Sequence, residues 1–201
     1  MVNVTKLIVG PYDNGAYVVS CPRTRRGVII DAAAEAGRIL VACADVEVES
    51  ILTTHGHADH ISAVDPVQKA LDVPFLMHRA DVDIAERHPD APLDAGQEIV
   101  FGDVALHTLH TPGHTPGSMC FVFEPAEPGT VQIIFSGDTL FPGGPGATRW
   151  AYSSFGQIMD SLEQQIFPRL PDDAIVHPGH GADTTIGAER PHLGEWRARG
   201  W

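Results

Sequence analysis

The chain has 201 residues, 43% of them hydrophobic, and a formal net charge of -13 at pH 7. This length is enough for one sizeable core, so we expect residues 1–201 to form a single domain. The acidic charge argues against binding to nucleic acid or to an anionic membrane surface, because both are themselves negative.

Two further features of the composition bear on location. No apolar run is long enough to span a bilayer, and the first six residues have neither the basic nor the apolar segment of a signal peptide. The three cysteines, Cys21, Cys43 and Cys120, are isolated and odd in number. We therefore expect buried free thiols and a cytoplasmic protein.

The first half of the chain predicts a run of strands followed by alternating helices and strands. Segments rich in β-branched residues between Pro, Gly and Asn turns indicate strands, and Ala-rich or amphipathic segments indicate helices. The predicted strands are 6–10, 16–21, 27–31, 48–54 and 74–78, and the predicted helices are 33–44, 61–71 and 79–87. Residues 88–97 contain Pro89, Pro92 and Gly96 and are predicted to form a loop.

The second half repeats this arrangement. The predicted strands are 98–101, 104–109, 118–124, 131–136 and 174–177, and the predicted helices are 153–165, capped by Ser153, and 185–190. Pro142-Gly-Gly-Pro145 predicts irregular structure over 140–150. Strands followed by helices in both halves favour an α+β fold in which two sheets pack face to face with helices outside.

The sequence Thr54-His-Gly-His-Ala-Asp-His60 follows a predicted strand directly. It places three imidazoles and a carboxylate within six positions. Imidazole and carboxylate are ligands that zinc and similar divalent metals prefer. Because sites in α/β sheets lie beyond the carboxyl ends of strands, this loop is a candidate metal site.

Three other strand ends carry side chains of the same types next to Gly or Pro. They are Thr111-Pro-Gly-His114, Gly137-Asp138-Thr139 and Pro178-Gly-His180-Gly181. The combined set of candidate ligands is His55, His57, Asp59, His60, His114, Asp138 and His180. Five imidazoles and two carboxylates exceed the needs of one tetrahedral zinc and suit two divalent ions with a shared carboxylate.

These four ordered motifs resemble those of the metallo-β-lactamase superfamily, and within it the glyoxalase II-like hydrolases. The resemblance implies a four-layer αβ/βα sandwich with its site at one edge of the sheets. It also implies that His55, His57 and His114 hold one metal, that Asp59, His60 and His180 hold a second, and that Asp138 bridges them. Asp31 matches a family acid that orients a histidine ligand.

The resemblance also implies a reaction. Two divalent ions, zinc by preference with iron or manganese possible, would supply a bridging metal-bound hydroxide that cleaves a small-molecule acyl thioester or ester. Asp59 and Asp138 would be the catalytic carboxylates, with Asp59 orienting the hydroxide. Only 21 residues follow His180, so we expect no glutathione-binding C-terminal domain of the glyoxalase II kind.

Several alternatives stay open on the sequence. A persulfide dioxygenase would use His55, His114 and Asp138 for one iron, and a lactonase has a similar ligand set. A metal-stabilised scaffold without activity is the weakest alternative. Arg149, Trp150, Tyr152 and Phe155 either pack the 140–155 loop or form a substrate pocket in which Arg149 holds a carboxylate. His78, His88, His107 and His192 are assigned no role, and His110 and His177 are expected to be structural.

Overall fold

The computed structural model describes residues 1–127 and 129–200. The first half forms a six-stranded sheet with four short helices. In chain order its elements are β1 (Asn3–Val9), β2 (Asn14–Ser20), β3 (Arg26–Ile30), α1 (Ala36–Ala42), β4 (Glu47–Leu52), α2 (Ala58–Ile61), α3 (Val64–Leu71), β5 (Phe75–Met77), α4 (Val82–Ala85) and β6 (Ala91–Pro92). The strand order is β1-β2-β3-β4-β5-β6, antiparallel as far as β3 and parallel from there.

The second half forms another six-stranded sheet. Its elements are β7 (Glu98–Phe101), β8 (Val104–His110), β9 (Met119–Phe123), β10 (Ile133–Gly137), β11 (Leu140–Phe141), β12 (Gly144–Pro145), α5 (Phe155–Ser161), β13 (Ile175–Pro178), β14 (Thr184–Thr185), α6 (Ile186–Glu189) and α7 (Leu193–Arg199). The order is β14-β13-β10-β9-β8-β7, and β11 and β12 pair separately as a small hairpin.

Three hydrophobic clusters define four layers. Alternate residues of a strand point to opposite faces of its sheet, so Ile30 and Phe135 pack between the two sheets, whereas their neighbours Ile29 and Ile134 face the helices. Ile39 of α1 packs on the outer face of the first sheet. The predicted αβ/βα sandwich is therefore confirmed, and its site lies at the edge where the strand-end loops meet.

Four local predictions were wrong. Residues 140–150 contain the β11–β12 hairpin, because Gly143 and Gly144 adopt φ values of 89° and 149° that permit the tight turn. The predicted loop 88–97 contains β6, two residues that pair with β5. Ser154 rather than Ser153 caps α5, which passes into a π-helical turn over Leu162–Ile166. Helix α7 was not predicted at all.

The cysteines are as the composition predicts. Cys21, Cys43 and Cys120 are free and buried. Among the described residues, no helix has the length and apolar character to cross a membrane.

Candidate metal centre

All seven predicted ligand residues meet at one edge of the sandwich. The loop after β4 carries His55 and His57 and leads into α2, whose first turn holds Asp59 and His60. The loops after β8 and β13 carry His114 and His180, and Asp138 follows the last residue of β10. Four strand ends that are distant in sequence thus place their side chains in one cluster.

Three histidines form the first donor group. The Nδ1 atom of His57 lies 3.0 Å from Nε2 of His55 and 3.1 Å from Nε2 of His114. His55 and His114 are buried, whereas His57 lines a cleft open to solvent. The group therefore presents three ring nitrogens to one point that a small solute can reach.

A second donor group lies beside the first. The Nε2 atoms of His60 and His180 are 3.1 Å apart, and Oδ2 of Asp59 is 3.5 Å from His180 Nε2 and 3.8 Å from His60 Nε2. The side-chain amide of Asn14 donates to Asp59 Oδ2 at 3.0 Å. Burial raises the pKa of Asp59, but this bond and the charge of His60 outweigh it, so the net shift is downward and the carboxylate is ionised.

Asp138 lies between the two groups. Its Oδ1 is 3.4 Å from Nε2 of His60, and its Oδ2 is 3.4 Å from Nε2 of both His114 and His180. Burial opposes ionisation, but the charge of His60 and a hydrogen bond from His180 lower the pKa of Asp138 to about 2. The side chain is thus a carboxylate that faces both groups.

In several of these histidines, the hydrogen bond made by Nδ1 shows which of the two ring nitrogens carries the proton. Nδ1 of His114 donates to the carbonyl of Ala147, and Nδ1 of His180 donates to the carbonyl of Tyr12, each at 2.8 Å. A carbonyl only accepts, so these nitrogens carry the proton, and Nε2 is the atom of each ring that would give its lone pair to a cation. His55 follows the same pattern, because its Nδ1 lies 3.1 Å from the hydroxyl oxygen of Thr54, whose own hydrogen is donated to Asp31.

The cluster is chemically suited to divalent cations. Ring nitrogens face one another at 3.0–3.1 Å, and burial lowers the pKa of His55 well below its usual value and that of His57 to about 4. Burial also opposes the charge of His60, but the carboxylates of Asp138 and Asp31 outweigh it and raise the pKa of His60 to about 9. Oδ1 of Asp138 is buried without a hydrogen-bond partner among the described residues. A buried carboxylate oxygen without a partner is costly, and a cation would supply one.

Two buried carboxylates hold the loops in place. Asp31, which was expected to orient a histidine, accepts from Nδ1 of His60 at 2.9 Å. Asp81, which the sequence did not single out, accepts from the backbone N–H of Gly56 at 2.8 Å, the hydroxyl of Thr115 at 2.7 Å and the N–H of Gly117 at 2.6 Å. Asp81 therefore joins the loop of His55 and His57 to the loop of His114.

The remaining histidines that make defined contacts lie outside the cluster. His78 caps a 3-10 turn by accepting from Ala80 N–H and stacks on His110, whose Nε2 donates to the carbonyl of Pro116. His177 contacts Asp183 at 3.0 Å. These contacts are structural, as expected for His110 and His177, and His78 gains a capping role that was not foreseen.

A cleft of about 600 Å³ opens onto the donor groups. Its described lining comprises Tyr12, His57, Ala58, Asp59, His114, Asp138, Phe141, Pro145, Gly146, Ala147, Arg149, Trp150 and His180. Trp150 packs against His57 with ring centroids 4.6 Å apart, and the hydroxyl of Tyr152 lies 2.8 Å from Nε2 of His57. Aromatic residues therefore flank the polar centre of the cleft.

A four-layer αβ/βα sandwich with a histidine and aspartate cluster at one sheet edge defines a class of metal-dependent hydrolases. Residues 10–180 match the metallo-beta-lactamase superfamily, and the chain belongs to that superfamily, whose members bind divalent metals. The resemblance inferred from the four motifs is thereby confirmed.

Several curated relatives are named as hydrolases, among them the following two. The probable polyketide biosynthesis zinc-dependent hydrolase PksB of Bacillus subtilis is 30% identical, over 84% of this chain and 73% of its own length. The hydroxyacylglutathione hydrolase GloC of Haemophilus influenzae is 28% identical, over 83% of this chain and 85% of its own length. The chain is similar to both over most of its length.

Solved structures extend the comparison. The BLEG-1 B3 metallo-beta-lactamase superposes with a TM-score of 0.82 at 28% identity, over 98% of this chain and 99% of its own. ETHE1 from Myxococcus xanthus superposes with a TM-score of 0.82 at 26% identity, over 95% of this chain and 83% of its own. TTHA1623 in a di-iron-bound form superposes with a TM-score of 0.79 at 32% identity, over 93% of this chain and 97% of its own. Proteins with different names thus share this fold, so the fold alone does not identify the reaction, and the residues of the site must be considered.

Proposed function

We propose that the protein is a binuclear metal-dependent hydrolase of the glyoxalase II type that cleaves a small-molecule thioester or ester. The observation that carries this proposal is the position of Asp138. Its Oδ2 lies 3.4 Å from Nε2 of His114 in one donor group and from Nε2 of His180 in the other. Its Oδ1, 3.4 Å from Nε2 of His60, has no hydrogen-bond partner among the described residues. A carboxylate in that position suits a pair of cations better than a single one.

His55, His57 and His114 would hold one metal, and Asp59, His60 and His180 the other. The donors are mostly imidazole, which favours zinc, with iron and manganese also compatible. A zinc-dependent relative and a di-iron-bound neighbour agree with this range of metals. Two bound divalent ions would make a water molecule acidic near neutral pH and polarise the substrate carbonyl.

The protein groups supply orientation. Asp59 lines the cleft with an ionised carboxylate, so it can accept a hydrogen bond from the attacking water and fix its direction. Asn14 holds that carboxylate in place. The aromatic rings of Phe141 and Trp150 flank the polar centre and suit the apolar part of an acyl group.

The test combines metal content with turnover. The purified protein is assayed for bound metals and for turnover of an S-lactoyl thioester, an acyl homoserine lactone, a cephalosporin and a persulfide. We expect two metals per chain and preferential thioester hydrolysis. Asp138→Asn should lower kcat/KM at least about a hundredfold, since the bridging charge is lost.

Asp45→Asn serves as a matched control, because Asp45 is exposed, lies outside the cleft and pairs with Arg25. One iron per chain with oxygen consumption on the persulfide would instead indicate the dioxygenase. Preferential turnover of the lactone would indicate the lactonase. Full activity of Asp138→Asn on every hydrolysed substrate would overturn the proposed role of Asp138.

A further inference from the structure

We propose that Arg149 binds a carboxylate group on the substrate, so that the preferred thioester or ester is an anionic one. This inference rests on the proposed hydrolase function and assigns a substrate class to it. Of the described residues that line the cleft, Arg149 is the only lysine or arginine. It lines the same cleft as Asp59 and Asp138, so a substrate that reaches the two donor groups lies in a cavity whose wall includes this exposed arginine.

Arg149 has no carboxylate partner within 4.0 Å among the described residues. The protein has 26 acidic residues for 13 lysines and arginines, and most of those cations form an ion pair within 4.0 Å. No such pair to Arg149 exists within residues 1–127 and 129–200. In so acidic a chain, an unpaired guanidinium beside a cleft is available for an anion from solution.

The segment around Arg149 is anchored on both sides. Ala147, two residues before it, accepts the Nδ1 hydrogen of His114 through its carbonyl at 2.8 Å. Trp150, directly after it, packs edge-on against His114 at 5.3 Å and tilted against His57 at 4.6 Å between ring centroids. The backbone that carries Arg149 is therefore held against two of the predicted ligands.

The guanidinium itself rests on an aromatic ring. Its Cζ lies 4.8 Å from the centroid of the Trp150 ring, a distance at which cation–π attraction operates. This contact restrains the side chain without consuming its N–H donors. A restrained planar fork of donors fits the two oxygens of a carboxylate and loses less entropy on binding than a free arginine would.

The test uses substrate pairs that differ only in one charge. The first pair is S-acetyl-N-acetylcysteine and its amide, which carries the difference on the thiol side. The second pair is the glutaryl thioester of N-acetylcysteamine and its glutaramoyl counterpart, which carries it on the acyl side. In the pair whose carboxylate reaches Arg149, we expect the KM of the carboxylate member to be roughly five- to twentyfold lower than that of the amide. Arg149→Gln should remove this ratio, and Arg149→Lys should keep part of it.

A matched control is Arg79→Gln. It makes the same change in net charge at an exposed arginine that pairs with Asp94 and does not line the cleft. The control should keep the wild-type ratio. A ratio that survives in Arg149→Gln would show that the carboxylate binds elsewhere, for example to the metals, and would overturn the inference.

Binding is measured separately from turnover, so that the two proposals fail in different ways. Thioether analogues of both pairs, which cannot be hydrolysed, are titrated into the metal-loaded protein by calorimetry. A carboxylate preference that Arg149→Gln abolishes supports the inference even if no thioester turns over, in which case the proposed hydrolysis fails alone. Equal binding of both members, with thioester turnover intact, leaves the hydrolase and overturns the role of Arg149.

Discussion

Oδ2 of Asp31 accepts a hydrogen bond from Nδ1 of His60 at 2.9 Å, and both side chains are buried. The same carboxylate accepts the backbone N–H of Thr54 at 2.8 Å and its hydroxyl at 2.7 Å. One buried acid at the end of β3 thus holds the end of β4 and the ring of His60 together. Because Nδ1 of His60 faces Asp31, Nε2 faces Asp138 and His180.

The first prediction concerns Asp31→Asn. The amide keeps the size of the side chain but presents an N–H₂ group where oxygen now accepts, so the ring of His60 loses its fixed orientation. We expect metal affinity at the group of Asp59, His60 and His180 to fall roughly 10- to 100-fold. Competition with a chelator measures it. Asp45→Asn is the surface control, and equal affinities for both variants would rule out this role of Asp31.

The second prediction concerns the loops that Asp81 joins. Asp81→Asn leaves at least one of three buried donors without an acceptor, so we expect the free energy of unfolding to fall by roughly 2–4 kcal/mol. Thr115→Val removes one of the donors to Asp81, together with the 2.8 Å contact to the hydroxyl of Ser118, and should cost about 1–2 kcal/mol. Denaturant unfolding of the chelated protein measures both changes without a metal contribution. A loss below about 0.5 kcal/mol for Asp81→Asn would contradict the proposed clamp.

The fold could be predicted because the periodicity of the strands and the spacing of the turns can be recognised in the sequence. Both sheets and the outer helices followed from them. The errors fall on β6, β11 and β12, which are too short for a period to develop, on helix α7, which was missed, and on Ser153. That side chain donates to the carbonyl of His114 at 2.8 Å instead of capping α5. Single-domain organisation over residues 1–201 stays a prediction.

The candidate site, like the fold, could be predicted only in part. The candidate ligands could be found because they follow strands and because all except Asp59 and His60 are next to a glycine. Asp81 could not, because its partners Gly56, Thr115 and Gly117 lie 25, 34 and 36 positions away and nothing adjacent marks it. The local sequence likewise leaves two roles open for Arg149, and its lack of an ion-pair partner is a property of the folded chain.

The third prediction is a pH dependence at the loop of His180. Lys6 on β1 donates to Asp183 Oδ1 at 2.6 Å and to the carbonyl of Gly181 at 2.8 Å. Burial raises the pKa of Asp183, but hydrogen bonds from Lys6 and His177 outweigh it and lower the pKa below its usual 3.8. The folded state therefore binds this proton less readily than the unfolded state does.

Stability from this pair is consequently present above about pH 4 and is lost as the pH falls further. Asp183→Asn should lower the free energy of unfolding near pH 6 by at most about 1 kcal/mol, since the pair is partly exposed. The difference from wild type should shrink below about pH 4. Unfolding at several pH values measures it, with Lys6→Met and the double variant completing a cycle. A difference that does not vary with pH would contradict this assignment.

The last prediction concerns Gly179, which lies beside the bridging carboxylate. A Cβ at this position would lie 2.1 Å from Oδ1 of Asp138 and 2.8 Å from Cε1 of His60, closer than non-bonded atoms approach. Gly179→Ala must therefore displace Asp138 from between the two donor groups. We expect metal stoichiometry to fall below two and kcat/KM to drop at least about a hundredfold. Gly37→Ala is the matched control, because its Cβ in α1 meets nothing within 4 Å and should stabilise the helix by about 0.5–1 kcal/mol. Two metals and full activity in Gly179→Ala would mean that the position of Asp138 is not what sets the metal pair.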